Sequence, residues 1–192
     1  MFSILLLLLP LTTIAQWGTP PPIVTNQQCQ EEYDKIIGCV RNGSLFSSVD
    51  DIPLHNKQLN QELIQEITHV LDCSGFLNCN SSRILQSFFF NQRWILDHYY
   101  DNLETCLTID AQIAMEKECL LPVPSGSHWN CNFITNNLKC LSESLKKQPN
   151  CGPKDVRPYQ RLLWAVRASC VMGYQWKIET KNYKLKEKKI LQ

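Results

Sequence analysis

The chain has 192 residues, with 19 Lys and Arg against 18 Asp and Glu, ten cysteines and only seven glycines. Net charge is +1, but from Lys177 onward six lysines face only Glu179 and Glu187, so the end carries +4 and the body is near −3. A near-neutral body argues against nucleic acid as the main partner, and no stretch approaches the ~20 apolar residues of a membrane-spanning helix.

Residues 1–15 hold no charged side chain and carry an unbroken apolar run at 4–9, then Pro10 and the small residues Thr13 and Ala15. That pattern predicts a secretory signal cleaved before Gln16, unusual only in lacking Lys or Arg at its start. Residues 16–28 include Gly18, Pro20, Pro21 and Pro22 and read as an extended leader. The remaining length suits one domain with its own core, expected over 29–176, followed by a basic, solvated tail over 177–192.

From Cys29 the apolar residues return at helical spacing. Tyr33, Ile36, Ile37 and Val40 form a first stripe; Leu59, Leu63, Ile67, Val70 and Leu71 a second; Leu85, Phe88, Phe89, Ile95, Tyr99 and Leu103 a long third. A short helix is expected over 111–119. Ile134, Leu138, Leu141 and Leu145 form a further stripe, and Tyr159, Leu162, Leu163, Val166 and Cys170 a last one, entered through Asp155 as N-cap. Breaks fall at 42–44, 51–53, 74–75, 121–127 and 149–153, and no sustained two-residue alternation supports strands. The fold class is therefore all-α, with five to six short helices.

Cys29, Cys39, Cys73, Cys79, Cys106, Cys119, Cys131, Cys140, Cys151 and Cys170 all follow the signal. An even count there predicts five disulfides, a secreted, extracellular location and helices tied to one another. Spacing excludes two pairings: ten or nine residues along a helix separate Cys29 from Cys39 and Cys131 from Cys140 by ~14–15 Å, about twice what a bridge spans. The other pairings stay open. No C-x-x-C is present, and His128 with Cys131 is a lone H-x-x-C, so no metal and no cofactor are expected. Two N-x-S sequons, at Asn42 and Asn80, fall at breaks and are candidate glycosylation sites.

The cysteine order, with Cys29-x9-Cys39, Leu77-Asn78-Cys79, Cys131-x8-Cys140, Cys151-Gly152 and a last Cys170 in an aromatic-rich helix, resembles a nematode-restricted secreted domain of unknown function. That family typically carries twelve cysteines, and the likeness covers residues 29–170. It implies a secreted, disulfide-stapled domain and brings no activity or catalytic residues. Two family cysteines are missing here, near Ile67 and Phe88, which the resemblance implies were one bridge replaced by packing. A weaker likeness is to the cysteine-rich domain of nematode eggshell chondroitin proteoglycans.

His55, His69, His98 and His128 are scattered, with no G-x-S-x-G, H-E-x-x-H, phosphate loop or dinucleotide glycines near them. Asp97-His98-Tyr99-Tyr100-Asp101 is the densest polar cluster, but neighbours on a helix point apart, which favours an amphipathic helix over a general base. Phe88, Phe89, Phe90 and Trp94 would serve either a core or an apolar pocket. The expected function is a non-catalytic extracellular binding, matrix or defence module with a protein, glycan or lipid partner. A carrier of an apolar ligand and a secreted hydrolase are the alternatives.

Overall fold

Thr25 opens the first helix by accepting the Gln28 N–H at 3.1 Å, and α1 runs over Asn26–Gly38. The computed structural model describes residues 25–46, 54–120 and 131–180. The expected signal, most of the expected leader and the end of the expected tail lie outside these residues, as do the breaks at 51–53 and 121–127 and His128. The leader boundary shifts: residues 26–28 belong to α1, because Thr25 supplies a cap that the prolines upstream concealed.

After α1 the chain makes a short 3-10 turn, Gly43–Phe46, that buries Leu45 and Phe46. Asn56 caps α2, Lys57–Ser74, through its Oδ1 and the Leu59 N–H at 3.1 Å. Buried Leu63, Glu66, Ile67, Val70 and Ser74 on α2 repeat at three and four residues and define its inner face. The helix stops at Gly75, whose φ of 60° is left-handed backbone that favours glycine. Then come α3, Asn80–Asn102, and α4, Ile109–Cys119, the latter capped by Thr108 on the Ala111 N–H.

The stripe at 134–145 is interrupted, not continuous. A single turn, α5, Phe133–Asn136, precedes α6, Leu138–Lys146. At the join the Asn137 carboxamide donates to the Phe133 carbonyl at 2.8 Å, a local side-chain bond that competes with the helical ladder.

The last helix, α7, is the longest, Pro153–Thr180. Asp155 is not its N-cap. Pro153 starts the helix with a preset φ, and Asp155 reaches back from the first turn to accept the Gly152 N–H at 2.8 Å. The helix also carries Lys177 past the expected domain end at 176.

Helices α3 and α7 run antiparallel as a central pair. Asn91 donates to the Ala165 carbonyl at 2.8 Å and the Ser169 hydroxyl at 2.6 Å, while His98 Nε2 donates to the Pro158 carbonyl at 2.9 Å. Around this pair lie two apolar clusters. The first joins α1, the 3-10 turn, α2 and α3 through Ile36, Phe46, Leu63, Ile67 and Phe89; the second joins α3, α4, α6 and α7 through Tyr99, Leu103, Met115, Leu145 and Leu162. Trp176 near the end of α7 returns to the first cluster and stacks on Tyr33 at 6.4 Å.

All ten cysteines are paired, as Cys29–Cys79, Cys39–Cys73, Cys106–Cys151, Cys119–Cys140 and Cys131–Cys170. Neither excluded pairing occurs. The all-α, disulfide-linked architecture read from the sequence is the architecture found: among the described residues there are six helices of nine residues or more and no strand.

Candidate functional site

Where α2 begins beside the end of α3 and the start of α4, a cleft of about 440 Å³ opens between Leu54, His55, Tyr99, Tyr100, Glu104, Thr108, Ile109 and Asp110. Each wall follows from local folding. Asn56 starts α2 and leaves Leu54 and His55 just ahead of it; Thr108 starts α4 and places Asp110 in its first turn, where a carboxylate suits the helix dipole. Tyr99 is on the core face of α3 and only 1% exposed.

The hydrogen bonds fix the chemistry of the cleft. Tyr99 donates its single hydroxyl proton to the Leu107 carbonyl at 3.2 Å, so the 3.1 Å contact with His55 Nδ1 has the imidazole donating. His55 therefore carries a proton on Nδ1, and in the neutral ring Nε2 is the acceptor. Burial, with the nearby charges of Tyr100 and Glu104, pushes the Tyr99 hydroxyl up to about 12, so it stays protonated. Tyr100 donates to the Leu54 carbonyl at 2.9 Å and accepts from Asn60 at 2.8 Å. Lys57 places its ammonium 5.3 Å from the centre of the Tyr100 ring and bonds both Glu104 oxygens, at 2.9 and 3.0 Å. Two walls of the cleft, the Tyr100 ring and the Glu104 carboxylate, thus already hold one cation of the chain itself between an aromatic face and a carboxylate.

The residues singled out in the sequence scatter. His98 binds Pro158 and Asn102 and lies flat on Trp94, ring centres 4.4 Å apart, while Asp97 pairs with Arg93. Among the described residues no carboxylate is paired with His98. Phe88, Phe89 and Phe90 do not converge on a pocket: Phe89 is core, Phe88 lies on the rim of the first cluster and Phe90 is 61% exposed, as a 100° step per residue requires. His69 is half-buried on α2. Among the described residues no group of three His, Cys, Asp or Glu side chains is placed to hold a metal.

The two sequons differ. Asn42 is exposed in the loop after α1, with its carboxamide oxygen accepting from Ser44. Asn80 is not in a break; it is the first residue of α3, donates to Glu179 at 3.0 Å, and its Ser82 is 2% exposed. The Ser-Ser after it reads as a loop, yet the Leu85 stripe extends back over both serines.

The cleft itself was not visible in the sequence, since His55 and Tyr99 are 44 positions apart and share no motif. The one local signal was the Thr108 helix start. No family model, curated protein or solved structure matches the chain. Five disulfides are consistent with an extracellular protein. No helix among the described residues is long and apolar enough to cross a membrane.

Proposed function

We propose that this is a secreted, non-catalytic binding module of the extracellular space, and that the cleft at the α2–α3–α4 junction receives a small ligand with an aromatic body and a cationic end. The observation that carries this reading is Lys57, already seated over the Tyr100 ring and against Glu104, a rehearsal within the chain of how an ammonium group is held. His55 Nε2 and the Asp110 carboxylate supply further acceptors, and Leu54 and Ile109 supply apolar wall.

Binding, not turnover, fits the committed hydroxyls. The Thr108 hydroxyl caps α4, the Tyr99 hydroxyl faces a backbone carbonyl, and no cysteine is free to act as a nucleophile. A hydrolase reading keeps one foothold, His55 in a cleft with Glu104 and Asp110, but the Nδ1 proton goes to Tyr99 where a catalytic dyad would give it to a carboxylate. Secretion rests on the sequence of residues 1–15 and the paired cysteines. The resemblance to the nematode secreted domain agrees with it, and Ile67 and Phe88 belong to, or pack against, one apolar cluster, as a bridge replaced by packing requires.

Tyramine is a suitable probe, carrying a phenol and an ammonium group. Titrated into the oxidised full chain and followed by NMR, it should shift the Tyr99, Tyr100 and Ile109 signals, with weaker binding after Asp110→Asn. Absence of any shift at millimolar probe overturns the proposed ligand class.

A further inference from the structure

The outer seam of the α3–α7 pair carries aromatic and basic side chains that the cleft does not use. Trp94 lies one turn from both Asn91 and His98, two of the α3 residues bonded to α7; Arg161 lies one turn from the two carbonyls they bond, those of Pro158 and Ala165. Helical register therefore puts Trp94 and Arg161 along the same seam. One turn further on each helix are Phe90, 61% exposed, and Trp164, 50% exposed.

Lys154, Arg157 and Arg161 are exposed on α7 and make no ion pair among the described residues. On the α3 side Asp97 is taken by Arg93, and among the described residues of α3 on this seam Asp101 is the one opposing exposed carboxylate. The face is basic in balance and calls for an anionic partner.

The indole faces narrow the chemistry. His98 covers one face of Trp94, and the Arg167 guanidinium lies over Trp164 at 5.5 Å. Stacking on a sugar ring uses an open aromatic face, whereas a lipid interface takes the indole edge with its N–H and welcomes a bare phenyl such as Phe90. We propose that this face docks on an anionic phospholipid bilayer, with Phe90, Trp94 and Trp164 at the headgroup boundary and Arg157 and Arg161 on the phosphates.

The oxidised full-length chain is mixed with vesicles of phosphatidylcholine alone and of phosphatidylcholine with phosphatidylglycerol in equal parts, and followed by co-sedimentation and tryptophan emission. Binding with a blue shift is expected on the anionic vesicles only. Phe90→Ser with Trp94→Ser, and separately Arg157→Gln with Arg161→Gln, should each weaken it roughly tenfold, with the circular dichroism melt unchanged because these side chains are exposed. The variants retain the lysine-rich end, so undiminished binding assigns the attraction to that end and overturns the proposal. Equal binding to both vesicles, none to either, or heparin retention that replaces vesicle binding overturns it as well.

Discussion

Burial works against a charge at Glu66, yet the backbone N–H groups of Arg41 and Asn42, at 2.6 and 3.1 Å, together with the Arg41 guanidinium at 3.2 Å, outweigh it. The carboxyl is held below the ordinary carboxylate range. Glu66→Gln keeps the shape, loses the charge and should cost about 2 kcal/mol at neutral pH in chemical denaturation. Since the folded value lies below the unfolded one near ~4.3, this stability is complete above that pH and is lost as pH falls through the folded value. The gap between wild type and variant should close on acidification. A gap that widens instead would refute the role assigned to the charge. Nothing local announces such a clamp: Glu66 lies 25 positions from Arg41, and Glu32, which accepts the N–H groups of Asn78 and Cys79, is 46 and 47 positions from its partners.

Helices were legible because their signals are periodic and contiguous. The stripes at 59–71 and 85–103 correspond to the buried faces of α2 and α3, and the caps at Asn56 and Thr108 are the residue types that such starts need. What failed was local competition between side chain and backbone, as at Asn137, and exact phase, as at Asp155. Phase also separates the sequons. A glycan on Asn80 would replace a proton of the amide that Glu179 accepts and crowd the α3–α7 contact, while one on Asn42 projects from a loop. In a secreting host, Asn42→Gln should remove the glycan mass and Asn80→Gln should leave it; the reverse result by mass spectrometry would show that loop placement does not decide occupancy.

Across the whole molecule the bridges sort by lobe. Cys29–Cys79 and Cys39–Cys73 nest around α1 and α2, and the other three lie between Cys106 and Cys170. Periodicity could not choose among these pairings, because which helices meet depends on the two apolar clusters and on α3 and α7 threading both. Replacing Cys119 and Cys140 by Ser opens a bridge of sequence separation 21 between α4 and α6. The expected loss is about 3 kcal/mol, with faster amide exchange in α4 and unchanged protection in α1 and α2. Loss of protection in α1 and α2 would mean the lobes unfold as one unit.

This sorting has a consequence for synthesis. Every cysteine of the first lobe precedes residue 80, so a chain threaded amino end first into an oxidising compartment can seal both early bridges before Cys106 emerges. The later six then choose among themselves, which cuts the number of wrong partners at each stage. Completion waits for α7, the last helix described, whose Trp176 closes back onto Tyr33 and the lobe that formed first.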